Sequence, residues 1–395
     1  MPRFLDTATG EFRWIADPSN AVYAILSHTW RSEEEGGEQT YNQVRKIWKR
    51  MRKSRVSGEI TGSTTSNEES ILSHPDLSGK IKAICKVARE AGYKLVWIDC
   101  ACIDKSSSAE LAETINSMFD LYRLADVCYI YLVDVPESRE DPEHYTSAFQ
   151  QSRWHGRGWT LQELLAPKEV VFLTASWTFL GTKCSLVHTL TLATNIDSGI
   201  LLGRDHLSSA SVARRMSWAA RRETTRVEDE AYSLLGIFRV HLSPIYGEGR
   251  NAFLRLQEEI MKTIPDQSIF AWGAQCVLSS IDAAEMYSNF LDDNTPTGLI
   301  VSSPRQFSSA EHIQALSPSD FLSRLVGDID SGLASSSLEL PSLHSVITPE
   351  GVRLKGLTID LTELAQIAAA IISNIENSPD NHLLAEDYEH CLSLG

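Results

Sequence analysis

The sequence predicts an α/β protein: a doubly wound parallel sheet, then a helical region, then a mixed C-terminal accessory domain. Three observations predict it. Four short runs are apolar along their whole length, as strands covered on both faces must be. The stretches between them place apolar residues at helical spacing. Beyond residue 273 the composition shifts: residues 274–395 hold 4 Lys+Arg against 17 Asp+Glu, whereas the first 273 residues hold 32 against 35.

The first strand is expected at residues 22–26 (Val22-Tyr23-Ala24-Ile25-Leu26), closed by a polar turn. A basic run follows, from Arg45 to Arg55, and then a Ser-, Thr-, Gly- and Glu-rich segment from Ser57 to Ser70. This reads as a solvated helix and a surface loop, because one basic segment with only Trp48 interleaved is no nucleic-acid footprint. Leu77, Ile81, Ile84, Ala88 and Ala91 share one helical face, and Gly92 stands where that helix stops. Residues 95–98 form the second strand, ending at Asp99 and a polar loop. Ser107 with Glu110 fits a capping box, which opens a helix over 109–123 striped with Leu111, Ile115, Met118 and Tyr122. Residues 127–133 and 170–173 supply the third and fourth strands. Residues 185–263 read as helical, with Val212, Met216, Ala219 and Ala220 in one segment and Phe253, Leu256 and Ile260 in another. Beyond 273 the pattern is broken by Pro296, Pro304, Pro318, Pro341 and Pro349, with one helix expected through Leu361, Leu364, Ile367, Ile371 and Ile375. The domain division is therefore 1–184, 185–273 and 274–395.

Composition excludes several function classes. With 395 residues, 43% hydrophobic and 22% charged, the chain can bury an ample core and is neither fibrous nor disordered. A net charge of −16 argues against nucleic-acid binding driven by bulk electrostatics. No run approaches eighteen apolar residues, so no membrane span is expected. The N-terminus lacks a signal-peptide core, and seven cysteines spread from Cys85 to Cys391 lack framework spacing. A cytoplasmic location with reduced thiols is the expectation. The end of the chain, from Tyr388 to Gly395, shows no domain closure, as in an incomplete C-terminal domain.

Several common catalytic engines are absent: no G-x-x-x-x-G-K-[ST] loop, no H-E-x-x-H helix, no G-x-S-x-G elbow. Cys100 and Cys102 form a C-x-C without a second pair, so no metal centre is expected and both read as small apolar residues at a strand end. Position carries the remaining argument, since ligands of an open parallel sheet bind outside the carboxyl ends of its strands. Ser27, His28, Thr29 and Trp30 lie there after the first strand, and Asp99 to Lys105 after the second. The segment from Ser152 to Leu165 follows the third. Trp159 and Glu163 are four apart and share a face if that segment is helical. An aromatic plate beside a carboxylate suits a flat heterocycle joined to a sugar. The plainer alternative is that Leu161, Leu164 and Leu165 pack inward while Glu163 faces water.

Three blocks carry a family resemblance: Ala24-Ile25-Leu26-Ser27-His28-Thr29-Trp30, Trp97-Ile98-Asp99 with Cys102-Ile103-Asp104-Lys105, and Arg157-Gly158-Trp159-Thr160-Leu161-Gln162-Glu163-Leu164. Together they resemble the motif blocks of the fungal heterokaryon-incompatibility (HET) domain. Met216-Ser217-Trp218-Ala219, Thr224-Thr225-Arg226-Val227-Glu228-Asp229, Leu234-Leu235-Gly236-Ile237-Phe238 and Tyr246-Gly247-Glu248-Gly249 look like the region that follows it. The resemblance covers about two-thirds of the chain. Arg31 stands where the family usually has glycine, and Ala101 where cysteine is common. HET domains in turn are similar to Toll/interleukin-receptor (TIR) domains, which have a flavodoxin-like fold and include members that cleave NAD. The run from Trp159 to Leu164 keeps the spacing of the plant TIR catalytic motif, with Thr160 in place of its cysteine.

The resemblance implies a protein of fungal non-self recognition that triggers programmed cell death. It implies Glu163 as a catalytic residue in NAD cleavage, with Ser27, His28, Trp30, Asp99, Asp104, Lys105 and Trp159 as substrate-binding residues. NAD would be substrate, with no prosthetic group. The alternative within the same pathway is a non-catalytic, self-associating signalling module. Either reading implies homo-oligomerisation on activation and a recognition partner that the sequence does not name.

Overall fold

A computed structural model describes residues 2–56, 70–137, 142, 147–272, 300–314, 344–348 and 351–355. Seven strands form one sheet in the order β2-β1-β4-β3-β5-β6-β7. They are β1 Arg3–Asp6, β2 Phe12–Trp14, β3 Ala24–His28, β4 Leu95–Ile98, β5 Val127–Tyr131, β6 Val170–Leu173 and β7 Phe179–Thr182. The four strands expected from the sequence are mutually parallel, with Ala24 opposite both Val96 and Val127, and Cys128 opposite Val170. Numbered among themselves they lie in the order second, first, third, fourth, the flavodoxin-like winding. The sheet is mixed, however, because β1 joins β4, β2 joins β1 and β7 joins β6, all antiparallel. Each of these three strands is three or four residues long, too short for alternation to register in the sequence. Trp14 and Phe179 stand exposed on the two edge strands.

Helices α2 Gly79–Glu90 and α4 Ser108–Leu124 form where the apolar stripes placed them, and α1 Tyr41–Val56, the single turn α3 Asp99–Cys102 and α5 Thr160–Leu165 complete the set around the sheet. Helix α2 buries Ile81, Ile84, Cys85 and Ala88, and α4 buries Ile115, Met118, Leu121 and Tyr122. Only half of the expected capping box forms. Ser107 Oγ accepts from the Glu110 amide at 3.4 Å, but the Glu110 carboxylate turns to the Asp104 amide (2.8 Å) and to Arg3. Helix α1 buries Tyr41, Val44 and Ile47 and exposes Arg45, Lys46, Lys49 and Arg50, as a solvated helix should.

The helical region is more broken than its pattern suggests, with α6 Val187–Thr194, α7 Ser198–Leu201, α8 Val212–Ser217, α9 Asp229–Tyr232, α10 Leu235–Phe238 and α11 Asn251–Thr263. It is fused to the sheet body. The Gly158 amide donates to Glu223 O (2.9 Å) and the Glu223 amide to Gly156 O (2.7 Å). A compact unit runs from Met1 to Gln314, past the compositional boundary at 273. Residues 300–314 belong to it because Val301, Phe307 and Ala310 are buried, and because the buried Gln257 amide pairs with Val301 O and N at 2.6 and 3.1 Å. Ala315–Gly395 form a second unit, whose described part is the antiparallel hairpin β8 His344–Thr348 and β9 Gly351–Lys355. The helix expected at 361–375 and the loop from Ser57 lie outside the described residues.

Candidate functional site

The site starts from the last two residues of β3, the sheet's central parallel strand. Successive strand residues point to opposite faces, so Ser27 and His28 open two different contact sets at one strand end. Ser27 Oγ accepts from Trp154 Nε1 (2.8 Å) and donates to Glu163 Oε2. His28 meets Asp99, its Nε2 lying 3.0 Å from Oδ1. Asp99 opens α3 directly at the end of β4, and its Oδ2 accepts from Trp30 Nε1 at 2.8 Å. Lys105 reaches back from the following loop, 4.0 Å from Asp99 Oδ2 and 3.4 Å from the centroid of the half-exposed Trp30 ring. Thus Ser27, His28, Trp30, Asp99, Lys105 and Glu163, drawn from three distant blocks, gather at the carboxyl edge of the sheet. That edge is where a doubly wound sheet changes winding direction and opens a crevice.

Asp104 and Trp159 do not join them directly. Asp104 accepts from the Ser106 amide (3.1 Å), from Ser106 Oγ (2.5 Å) and from Asn42 Nδ2 (3.3 Å). It folds its own loop, as short carboxylates do at turns. The half-buried Trp159 hydrogen-bonds Asp229, whose Oδ1 also accepts from Tyr246 OH at 2.9 Å. The indole is thereby pinned to the helical region, and is not a free stacking plate.

The two carboxylates sit in contrasting fields. Burial raises the Glu163 carboxyl to about 8 and outweighs the hydrogen bond from Ser27, the contact with Tyr122 and the charge of Arg222; the Asp99 charge adds to the rise. Tyr122 OH spends its one hydrogen on Leu26 O (3.1 Å). Its contact with Glu163 therefore suits a protonated carboxyl donating to the phenol oxygen. Burial also pushes Asp99 up, but the His28 hydrogen bond, the Lys105 charge and the Trp30 hydrogen bond outweigh it and hold Asp99 below the ordinary carboxylate range. A carboxyl raised towards neutrality and one held ionised thus stand at one edge of the sheet, a divergence of the kind found in functional carboxyl pairs.

Several supporting residues escaped the sequence reading. Helix α5 carries Glu163 and is only six residues long. Buried cations hold both its ends: Arg222 donates to Thr160 Oγ1 and Arg157 O (both 3.0 Å), and Lys183 donates to Leu164 O and Pro167 O (3.2 and 2.5 Å). Burial lowers Arg222 to about 10 and Lys183 to about 8. Lys80 and Glu38 lie behind His28. The one sequence signal for Lys80 is its place in the first turn of α2, where the helix dipole disfavours a cation.

Donor atoms of His28, Asp99 and Cys100 lie within 4.8 Å of one another. They suit a cation poorly. Lys80 Nζ approaches His28 Nδ1 at 2.8 Å and Asp99 Oδ1 lies 3.0 Å from Nε2, so both ring nitrogens are already engaged. Burial also pushes the Cys100 thiol well above its ordinary value, away from the thiolate that a metal needs. Cys85, Cys100, Cys102 and Cys128 are all buried, as small apolar residues would be.

Residues 23–141 match the family described as Heterokaryon incompatibility protein (HET), and residues 251–385 match a domain of unknown function, DUF8212. The chain is 42% identical over 260 residues to Vegetative incompatibility protein HET-E-1 of Podospora anserina, an alignment covering 64% of this chain and 17% of that protein. The chain thus spans under a fifth of the length of the curated relative it matches. No solved structure matches it. Residues 23–141 thus resemble a HET domain, and the chain is similar to a fungal vegetative incompatibility protein.

Proposed function

We propose that this HET-domain protein acts in heterokaryon or vegetative incompatibility, and that its crevice cleaves the nicotinamide–ribose bond of NAD to trigger cell death. The observation that carries the proposal is the Ser27–Glu163 hydrogen bond, which joins the first and third motif blocks beside the His28–Asp99–Trp30 group. Cleavage adds water across the bond and releases nicotinamide, ADP-ribose and a proton. Nicotinamide leaves as a neutral ring, so no acid has to protonate it; the demand is to stabilise positive charge on the ribose. Glu163 meets that demand as a carboxylate, and the cationic ring of the bound substrate favours its ionised form. Asp99, held ionised, orients ribose hydroxyls, while Lys105 offers a cation to the pyrophosphate. Assembly of several copies on activation belongs to the same proposal.

A non-catalytic signalling module is the second reading, favoured by the engagement of Glu163 with Ser27 and Tyr122 and of Trp159 with Asp229. Expression in fungal cells separates the two. If NAD loss is the cause, the full chain kills and Glu163→Gln, at matched abundance, does not. Killing by the variant at the parent's rate would replace the enzyme reading with the module.

A further inference from the structure

Behind the crevice lies a sealed ion pair that no motif block announces. Lys80 and Glu38 have side chains 3% and 1% exposed and meet at 2.6 Å. An ammonium has three hydrogens, and Lys80 Nζ has three acceptors within reach: Glu38 Oε2, His28 Nδ1 at 2.8 Å and Thr29 O at 3.3 Å. The helix dipole disfavours a cation at this position, and burying an ion pair is costly in itself. Packing or helix stability therefore gives no reason for this lysine. The imidazole it touches does.

His28 has two competing arrangements. In one, Nδ1–H donates to Thr29 O, 3.2 Å away, and a bare Nε2 faces the Asp99 carboxylate. In the other, Nδ1 accepts from Lys80 and Nε2–H donates to Asp99 Oδ1. Only the second pairs every hydrogen with an acceptor. Glu38 pairs with the lysine, with Oε2 taking the ion pair and Oε1 buried without a partner. The charged and titratable groups around the ring are Lys80 from α2, Glu38 from the β3–α1 loop, Asp99 and Cys100 from α3, and Lys105 beyond Asp99.

We propose that Lys80 and Glu38 are positioning residues of the crevice: the buried ammonium fixes His28 as the neutral Nε2–H tautomer, whose hydrogen bond aims the Asp99 carboxylate at the ligand. The chain runs Glu38, Lys80, His28, Asp99, with Trp30 N–H and Lys105 on the far carboxylate oxygen. The proposal rests on reading this crevice as the working site. Its test needs no substrate, so it stands or falls independently of NAD cleavage.

The full chain, labelled with ¹⁵N on histidine, is observed by long-range proton–nitrogen correlation, with His28 identified by the signal lost in His28→Gln. The parent is expected to show His28 with hydrogen on Nε2 and a bare Nδ1. In Lys80→Met/Glu38→Gln, which removes both buried charges together, Nδ1 is expected to gain a hydrogen directed at Thr29 O. A parent ring already protonated on Nδ1 overturns the proposal. So does a double variant whose ring is unchanged. The parent spectrum alone can contradict the proposal should the double variant fail to fold.

Discussion

Glu163 draws a stability cost from its own ionisation. Its carboxyl titrates near 4.5 when unfolded and about 8 when folded, so between those values the unfolded chain has released a proton that the folded chain retains. Stability then falls as pH rises through that window. Glu163→Gln has no proton to lose. Its melting temperature should therefore gain on the parent's from pH 4.5 to 8 and hold a constant offset above; a difference independent of pH would show that the carboxyl is not raised. Partial exposure of the residue screens the effect, so direction is the prediction. At this scale Ser27, His28 and Asp99 were legible because each ends or follows an apolar run that fixes its place, and Glu163 because it stands four residues from Trp159 in a block that carries the family resemblance. Lys80 and Glu38 were not, since a lone lysine in a helix and a glutamate in an acidic loop ordinarily read as solvated charge.

Contact between the sheet body and the helical region is close enough to be tested at one glycine. A Cβ on Gly158 would lie 2.5 Å from Thr224 Cγ2, a distance that real Cβ atoms do not adopt. Gly158→Ala should cost about 1–3 kcal/mol, the usual range for overpacking. Thr224→Ser removes the obstructing methyl and keeps the hydroxyl that donates to Arg226 O at 2.6 Å. The double variant should therefore recover most of the loss in denaturant unfolding; equal losses in single and double variants would mean the contact is not as described. The four parallel strands could be read from the sequence because each is a continuous apolar run between amphipathic helices. The antiparallel additions β1, β2 and β7 could not, nor could the breaks among α6 to α10, because elements of three to eight residues carry too few periods to register.

Across the whole molecule, the shift in charge and the edge of the compact unit fall at different residues. The deficit of cations begins near 274, yet Val301 and Phe307 return to the body and pack beside α8 and α11. A core contribution of a few apolar side chains is invisible to a count of charges. Among the described residues no helix is long and apolar enough to cross a membrane. What the molecule brings together from three separate blocks, at one edge of its sheet, is a carboxyl raised towards neutrality and one held ionised, and the proposal that follows is that this site cleaves NAD. Nicotinamide release by the purified full chain, measured from pH 6 to 9, tests it most directly. Release is expected, with kcat/KM rising as Glu163 ionises and levelling above about 8, and a fall on the order of 10²–10³ in Glu163→Gln. No release at any pH, or release equal in parent and variant, would contradict it.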